Sequence, residues 1–387
     1  MKLPIQSLGM LAEVNTGGTP DRTKAEYWGG SVPWVTTGDI DYKTINRPSE
    51  YLTELGLKES AAKLLPAGTI IMAMYGQGAT RGKVATLGIE AATNQACAAI
   101  FPKKEIINSS YLYSVLAHQY EKIRRLGHGG NQQNLNTSLI RDIPIPLPSL
   151  MEQEKIASIA CIWDAAIDKE EGLIAAKEKF FSTLIKSFIS DQCRHWAHLH
   201  TDNIFESISE KKNDNEELLS VTQDRGVIPR TMLEGRVMSP EGSTDGYKLV
   251  KKNDFVISLR SFQGGVEYSR YQGLISPAYT VLRRRLEIHD EFYRHFFKSY
   301  IFIEKYLSIA VIGIRDGKQI SAPDFMTVKI PYPPLEQQKE IANILNTARQ
   351  EIDFLQGQLA AYRKQKSGLM QKLLTGEWRV KTAEEVS

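Results

Sequence analysis

The sequence predicts an α/β (α+β) protein in which two globular modules are separated by two long helices and related by pseudo-two-fold internal symmetry. A Pro-rich segment that begins at Ile145 recurs at Ile330, an offset of 330 − 145 = 185 residues, and a charged, apolar-periodic stretch follows each copy. Strand- and turn-forming segments also occur in the same order before each copy. A repeat of this length indicates two copies of one module rather than a solenoid unit. Two like modules can read two like sites on one partner.

Composition places the chain among ordinary soluble globular proteins. It has 387 residues, of which 42% are hydrophobic and 24% are charged, and its length favours two or three domains. The net charge of +3 neither requires nor excludes a nucleic-acid partner, because acidic helices can dilute a local basic face.

The cysteines and the apolar segments indicate the cellular compartment in which the protein is expected. The three cysteines, Cys97, Cys161 and Cys193, are far apart and odd in number, which favours a reducing compartment over a disulfide framework. The N-terminal residues lack the continuous apolar stretch of a secretory signal, and no segment approaches the roughly 20 apolar residues that span a bilayer. We therefore expect a cytoplasmic protein without a membrane partner.

The first module, residues 1–148, shows short apolar runs of strand length between turns. Strand character is predicted at 32–37, at 69–74 and at 84–87, and helical spacing at 110–126. A glycine-rich polar loop, residues 76–83, joins the second and third of these strands.

The second module, residues 191–334, repeats that order with different polar residues. Residues 219–224 of the second module correspond to residues 34–39 of the first, and residues 255–260 correspond to residues 69–74. Because the strand framework is kept while the loop residues differ, the two modules indicate two versions of one binding task.

The two linking segments, residues 149–190 and 335–387, are predicted to be long helices. Their apolar residues alternate steps of three and four over about five heptads, which is the coiled-coil pattern. Glu170, Lys177 and Lys366 interrupt this pattern, and such polar positions fix register. The alternative is that each helix packs on its own module. The predicted seam consists of Ile156, Trp163, Ile167, Ile174, Phe181, Leu184, Phe188, Ile341, Leu345, Ile352, Leu355, Leu359, Leu369 and Leu373.

Several motifs together carry a family resemblance. Both 150–157 and 335–342 read L-x-x-Q-x-x-I-A directly after a Pro-rich strand. Gly-Gly-Thr-Pro at 17–20, Trp-Val-Thr-Thr-Gly-Asp-Ile at 34–40 and Leu-Leu-Thr-Gly at 373–376 complete the pattern. With these motifs the whole chain resembles the specificity (S) subunit of type I restriction–modification enzymes, the HsdS family.

The resemblance implies a division of labour. Residues 1–148 and 191–334 would be target recognition domains 1 and 2, each reading one half of a split DNA sequence. Residues 149–190 and 335–387 would be conserved helices 1 and 2, paired as an antiparallel coiled coil that sets the spacer. The resemblance also implies two adenine-methylating (M) and two restriction/translocase (R) partner subunits, which would hold S-adenosylmethionine, ATP and Mg. This chain itself would direct methylation and restriction without a cofactor or catalytic residue.

The search for catalytic and metal motifs favours the same interpretation. Pro331 to Leu335 lacks the acidic or amide residue and the aromatic residue of an adenine methyltransferase motif, and no phosphate-binding loop pattern occurs. Asp21 with Asp41 to Lys43 fits a nuclease pattern only loosely. A cluster at 193–200, with one cysteine and three histidines, suits zinc or a polar junction. We expect no catalytic residue and no metal.

Candidate DNA-binding residues are polar side chains in loops near glycines. Lysine and arginine supply affinity at phosphates, while arginine suits guanine and amides suit adenine. We hypothesise that the amide run 131–134 suits an A·T-bearing half-site and that Arg315 with Lys318 suits a G-bearing one; 283–285 is expected to contact phosphate or solvent. The candidates are Thr36, Thr37, Tyr75, Gln77, Arg81, Lys83, Asn131, Gln132 and Gln133 in the first module, and Gln223, Arg225, Arg260, Ser261, Gln263, Arg315, Lys318 and Gln319 in the second.

Two other function classes remain open at this point. One is a non-catalytic structural adaptor that holds protein partners on a coiled coil, against which the basic loops argue. The other is a lone nuclease, against which the missing convergent catalytic set argues.

Overall fold

The chain folds into two compact units that share the long helices. The structure, a computed structural model, describes residues 3–76, 79–126, 134–211, 216–233, 244–258, 265–312, 319–320 and 322–380. Unit 1 is Met1–Glu170 with Gln358–Ser387, and unit 2 is Glu171–Gly357. Each unit therefore contains one globular module and a part of each long helix. The predicted fold class, two mixed modules with long linking helices, is confirmed.

The module of unit 1 is built on a five-stranded sheet of order β2-β9-β6-β7-β4, beside a three-stranded sheet β5-β3-β8 and the pair β1-β10. Pairing is antiparallel except between β4 and β7 and between β3 and β8. The strands are β1 Ile5–Ser7, β2 Ala12–Thr16, β3 Trp28–Val35, β4 Thr44–Ile45, β5 Glu50–Leu52, β6 Ile70–Ala73, β7 Val84–Leu87, β8 Ala92–Thr93, β9 Cys97–Pro102 and β10 Pro144–Pro146, and the helices are α1 Leu8–Leu11, α2 Glu54–Lys58, α3 Ser109–His118, α4 Tyr120–Leu126 and α5 Thr137–Arg141.

Both faces of the central sheet are covered, which explains why β6 reads as a continuous apolar run. Ile70 and Met72 pack in the cluster that includes α3, whereas Ile71 and Ala73 pack in the cluster on the opposite face. Successive side chains of a strand point to opposite faces, so a strand buried on both sides carries no polar alternation.

The predicted helix 110–126 is two helices, because the chain leaves the helix at Gln119. Its backbone N–H still bonds to the Val115 carbonyl, but its side-chain amide donates to the Pro144 carbonyl at 3.1 Å. The predicted strands at 69–74 and 84–87 correspond to β6 and β7.

The module of unit 2 repeats this plan with a four-stranded sheet of order β12-β19-β16-β17 and four two-stranded pairs, β11-β22, β13-β14, β15-β18 and β20-β21. All of these pairings are antiparallel. The strands are β11 Ala197–His200, β12 Phe205–Ile208, β13 Leu219–Thr222, β14 Gly226–Pro229, β15 Lys248–Val250, β16 Phe255–Ser258, β17 Val266–Tyr268, β18 Gly273–Ile275, β19 Tyr279–Arg284, β20 Val311–Ile312, β21 Gln319–Ile320 and β22 Lys329–Tyr332, and the helices are α7 Thr201–Ile204, α8 Asp290–Phe297 and α9 Ala322–Thr327.

The two long helices have equal lengths when their last turns are included. The first is α6, Leu150–Ile185, which continues as a π-helical segment, Lys186–Ser190; the second is α10, Leu335–Thr375. The spans are 190 − 150 + 1 = 41 and 375 − 335 + 1 = 41 residues, and both ends obey the 185-residue offset. Gly376 ends α10 with φ +75°, as expected for a glycine after a helix.

Within each unit the segments of α6 and α10 run antiparallel. In unit 1, Asp164 forms an ion pair with Lys366, and the rings of Trp163 and Tyr362 are 6.0 Å apart. In unit 2, Lys177 lies 2.6 Å from Glu351. Of the seam residues, Ile156, Ile174, Ile341, Leu345, Ile352, Leu355 and Leu373 are buried, and Trp163, Ile167, Phe181, Leu184, Phe188, Leu359 and Leu369 are half-buried.

One buried glutamine anchors each long helix to its module. Gln153 Oε1 accepts the backbone N–H of Asn108 at 2.8 Å, and Gln338 Oε1 accepts that of His289 at 2.8 Å. Each Nε2 donates to the carbonyl of the proline five residues earlier, at 2.9 and 2.8 Å. Because Asn108 and His289 precede α3 and α8, the same side chain fixes the same helix start in both units.

Candidate nucleic-acid interface

In unit 1 the candidate side chains surround the connection between β6 and β7. Tyr75 follows β6 and is 43% exposed, while Lys83 immediately precedes β7. Lys83 Nζ lies 2.6 Å from Asp41 Oδ1 and 5.7 Å from the centre of the Tyr42 ring. Since Asp41 is largely exposed, this ion pair contributes little to stability.

Tyrosines hold the loop around these residues. Tyr120 Oη donates to the Ala79 carbonyl at 2.6 Å, and Tyr113 Oη donates to the Tyr42 carbonyl at 2.6 Å. Tyr42 has φ +58°, an uncommon conformation for a bulky residue that points to a functional or strained position. Burial raises the pKa of both Tyr42 and Tyr113, so each remains a neutral donor at neutral pH. Sequence reasoning missed these tyrosines because they are far apart in the chain.

Thr36 and Thr37 follow β3, and Thr36 is committed to a local turn. Its hydroxyl donates to Asp39 Oδ2 at 2.9 Å and accepts the Gly38 N–H at 3.3 Å. Asp39 also accepts the Ser49 N–H at 2.9 Å. The turn explains the Thr-Thr-Gly-Asp sequence as a capped 3₁₀ turn, and Thr37 lies half-buried within it.

In unit 2, Gln223 and Arg225 form the tip of the β13–β14 hairpin and are exposed. Arg225 Nη1 donates to the Met232 carbonyl at 3.2 Å. The next residue, Gly226, has φ +75°, and a Cβ there would lie 2.6 Å from the Tyr268 carbonyl. Glycine therefore lets the hairpin tip pack closely on β17.

A cleft of about 900 Å³ opens beside this hairpin within unit 2. Its walls come from the hairpin tip, β17, α8 and the unit 2 segments of α6 and α10. Its lining includes Phe181, Gln223, Arg225, Glu267, Tyr271 and Arg349.

The arginine run 283–285 corrects one expectation. Arg283 is not a solvated or phosphate-contacting edge: its Nε and Nη2 donate to the two oxygens of buried Asp254 at 2.9 and 2.8 Å. The Asp254 carboxylate thereby raises the pKa of the Arg283 guanidinium. Arg284 pairs with Asp290, and only Arg284 and Arg285 are exposed.

The cysteine and histidine cluster forms a junction between protein groups. His198 stacks on Tyr306, and its ring nitrogens lie 2.9 Å from the Tyr306 hydroxyl and 3.0 Å from the Trp196 carbonyl. His200 Nδ1 lies 2.6 Å from the Thr327 carbonyl. No group of three or more histidine, cysteine, aspartate or glutamate residues suited to a metal occurs among the described residues.

Of the remaining candidates, only Arg81 is fully described by the structure. Arg81 is half-buried beside Gly82. Of the described helices, none is long and apolar enough to cross a membrane. The predicted residues that lie outside the described ones are Gln77, Asn131, Gln132, Gln133, Arg260, Ser261, Gln263, Arg315 and Lys318, together with the side chain of Gln319.

Comparison with protein families gives two matches within the chain. A family model described as the type I restriction modification DNA specificity domain matches residues 5–178 and 196–361. Each match covers one module and the beginning of the long helix that follows it.

Curated relatives and solved structures agree with that match. The type I restriction enzyme MjaIX specificity subunit of Methanocaldococcus jannaschii is 31% identical over 192 residues, covering 48% of this chain and 44% of the relative. The EcoR124I/EcoR124II specificity subunit of Escherichia coli is 28% identical, covering 43% of each chain. These matches therefore span less than half of either relative. The putative MjaX specificity subunit of M. jannaschii is 28% identical over 73% of this chain and 71% of its own length.

The fold is shared with a type I restriction–modification S subunit from M. genitalium, whose crystal structure superposes with a TM-score of 0.59. The sequence identity is 17%, and the match covers 96% of both chains. A second solved structure, from work on assembly and conformational transition of the type I R-M system, has a TM-score of 0.58 at 17% identity, covering 98% of this chain and all of that one.

Proposed function

Because this chain belongs to the type I restriction–modification DNA specificity family, with two copies of the family domain, we propose that each module reads one half of a split duplex DNA target. The observation that supports this most strongly is the contrast between framework and loops. Both units keep the glutamine anchor and the 41-residue helical span, while their loop residues differ. Two similar scaffolds that carry different loop residues suit the recognition of two different DNA half-sites.

The paired helices would set the spacer between the half-sites. Ion pairs between α6 and α10 in each unit fix the register of the pair, as polar seam positions do in coiled coils. At 1.5 Å per residue, a 41-residue helical span is about 60 Å long.

Affinity would come from lysine and arginine at phosphates, and selectivity from loop side chains at base edges. The described basic candidates are Lys83 and Arg81 in unit 1 and Arg225 in unit 2. The described exposed polar candidates are Tyr75 and Gln223. The Thr36 hydroxyl is already hydrogen-bonded to Asp39 within its turn, so the contribution of Thr36 to DNA binding would be indirect.

The chemistry would belong to partners. We propose two adenine-methylating subunits, which carry S-adenosylmethionine, and two ATP- and Mg-dependent restriction subunits. The chain would supply recognition without a catalytic residue.

Co-expression with the methylating subunit expected beside this chain, followed by mapping of methylated adenines across the genome, tests the proposal. A split motif with one fixed spacer is the expected result. A stable complex that methylates nothing, with a methylating subunit shown to be active with another specificity subunit, contradicts it and favours the structural adaptor. Exchange of residues 1–148 for those of a relative should change one half-site and leave the other half-site and the spacer unchanged.

A further inference from the structure

The cleft in unit 2 carries charged residues at positions where unit 1 has none. In the sheets Phe255 occupies the place of Ile70, not of residue 69 as the sequence repeat suggested, because β16 begins at Phe255 and β6 at Ile70. Phe255 pairs with Tyr268 as Ile70 pairs with Thr86, so Glu267 corresponds to buried Ala85.

The anchored helix starts give two further correspondences. Asn108 and His289 occupy the same place, bonded to Gln153 and Gln338. Tyr113 and Arg294 lie five residues after Asn108 and His289, so Arg294 in unit 2 corresponds to Tyr113 in unit 1. Ala117 and Lys298 lie nine residues after them, so Lys298 corresponds to Ala117.

These substitutions cost stability that the fold does not require. Glu267 is 4% exposed, and Lys298 is its ion-pair partner. The Lys298 side chain is 30% exposed, so the desolvation penalty falls mainly on the Glu267 carboxylate, and attraction to one ammonium often fails to offset such a penalty. Since unit 1 forms the same framework with two alanines at these positions, the charged pair in unit 2 points to binding rather than to folding.

Glu267 also has an unused acceptor. Its Oε1 is paired with Lys298, whereas its buried Oε2 has no hydrogen-bond partner among the described residues. Burial raises the pKa of Glu267, and the Lys298 ammonium opposes that rise. A buried acceptor without a donor is costly, so a ligand that donates a hydrogen bond at this wall of the cleft would be favoured.

The rest of the cleft suits an anion and an aromatic ring. Arginine and lysine side chains outnumber carboxylates in its lining by five to three. Among them, Arg270 pairs with Glu291 and Arg349 with Asp353, each at 3.1 Å, so an anionic ligand would compete with these surface pairs. Tyr268 and Tyr271 supply aromatic surface, on which a base can stack. A volume of about 900 Å³ lies within the range of small-molecule sites.

We propose that this cleft binds a nucleotide whose base carries an exocyclic amino group, with Glu267 accepting from that group and the arginines facing the phosphate. This inference goes beyond the proposed function, because duplex recognition by loops needs no enclosed nucleotide. The nucleotide is either free or part of a DNA strand, and the two sources share this chemistry.

Titration calorimetry of the full chain with AMP and CMP tests the proposal. N6,N6-dimethyl-AMP, which lacks the amino donor, should bind at least about tenfold more weakly than AMP, the effect of one charge-assisted hydrogen bond. Equal affinity for donor and donor-free nucleotides, or no saturation by either at low millimolar concentration, would overturn it.

Two variants connect the preference to Glu267. The double variant Glu267→Ala/Lys298→Ala reproduces the residues of unit 1, so it should fold, and it should bind AMP and dimethyl-AMP alike. Glu287→Gln, an exposed carboxylate outside the cleft lining, is the matched control and should keep the preference. A double variant that folds and still prefers AMP contradicts the assignment.

The two sources are distinguished by competition. If target duplex displaces bound AMP, the occupant is a nucleotide of the DNA; if AMP and duplex bind together, it is a free nucleotide. Both outcomes presuppose saturable AMP binding that depends on Glu267.

Discussion

At the scale of single residues, Gln153 and Gln338 show how much one amide can organise. Each is fully buried and joins a helix start to a strand end through both of its polar atoms. The sequence motif marks these glutamines, but only the structure shows why the residue must be an amide: it needs one acceptor and one donor.

Replacement of Gln338 by leucine should lower the free energy of unfolding by about 3 kcal/mol. The change leaves the His289 N–H and the Pro333 carbonyl buried without their partner, and each orphaned group costs about 1–3 kcal/mol. Gln350→Leu, at an exposed position of the same helix, should change stability by less than about 0.5 kcal/mol. Urea unfolding of both variants makes the comparison; equal effects would show that the anchor is not structural.

Glu152 and Arg379 form a bidentate ion pair in unit 1 whose partners differ in burial. The carboxylate oxygens accept from Nε and Nη2 at 2.8 and 2.7 Å, but the glutamate side chain is 3% exposed and the arginine 44%. The buried carboxylate depends on its partner more than the arginine does.

Arg379→Ala should therefore destabilise the protein more than Glu152→Gln. Loss of the arginine leaves a buried charge and should cost about 2–3 kcal/mol. Loss of the glutamate charge leaves a guanidinium that water can reach, and should cost about 1 kcal/mol. Chemical denaturation of the two single variants would disprove the argument if their order were reversed.

His295 makes stability depend on pH. Burial lowers the pKa of His295 to about 4, and the neighbouring Arg294 adds to that shift; Asn346 and Glu291 oppose it, and Arg349 reinforces it. Because the pKa of His295 in the folded protein lies below the ordinary histidine value of 6.5, the unfolded chain binds the proton more tightly. The stabilisation is complete above about pH 6.5 and is lost as pH falls toward 4.

Between pH 7.5 and pH 5.0 this histidine should remove about 2 kcal/mol from the free energy of unfolding, since one pKa unit corresponds to about 1.4 kcal/mol. His295→Gln should be less stable at pH 7.5 and should show a drop smaller by that amount. Urea titrations at the two pH values measure both. An unchanged drop in the variant would place the titrating group elsewhere.

At the scale of elements, the long helices were the most predictable part. Their heptads and proline-bounded starts define them in the sequence. In the structure α6 begins at Leu150, one residue after its expected start, and α10 begins at Leu335 as expected but ends at Thr375, before the expected bound of 387. The break at Gln119 was not predictable, because it depends on a bond to Pro144, which is distant in the chain.

The helix pairing in unit 2 predicts that alanine substitutions at two neighbouring apolar residues of α10 lower the free energy of unfolding by unequal amounts. Ile352 is 1% exposed and Phe354 is 71% exposed. Ile352→Ala should cost about 2–4 kcal/mol through lost burial and a cavity, whereas Phe354→Ala should cost less than about 0.5 kcal/mol. Thermal and urea unfolding would reveal similar losses if α10 used a different face.

At the scale of the whole molecule, the proposed recognition of DNA predicts a salt-dependent contribution from the hairpin tip. Arg225→Ala should weaken duplex binding and reduce the slope of log affinity against log salt concentration by about 1, if the guanidinium contacts a phosphate. Arg225→Lys should restore the slope. Fluorescence anisotropy over a salt series would show an unchanged slope if the hairpin tip lies away from DNA.

The repeat made the overall plan predictable, and the site was predictable only in part. Thr36 carries a turn and Arg283 holds Asp254, and both roles depend on contacts that the spacing of residues does not reveal. The cleft was not foreseen because Glu267, Arg294 and Lys298 come from separate elements and stand out only when the two units are superimposed position by position.

The glutamine anchor affects how such proteins can evolve by exchange of modules. A module joins its helix through one backbone N–H at a helix start and one carbonyl at a strand end, together with apolar side chains that pack on the helix. Recombination that crosses over at Gln153 or Gln338 would therefore join unrelated modules to an intact helix. A population of such genes could acquire new DNA targets by shuffling whole modules, without passing through unfolded intermediates.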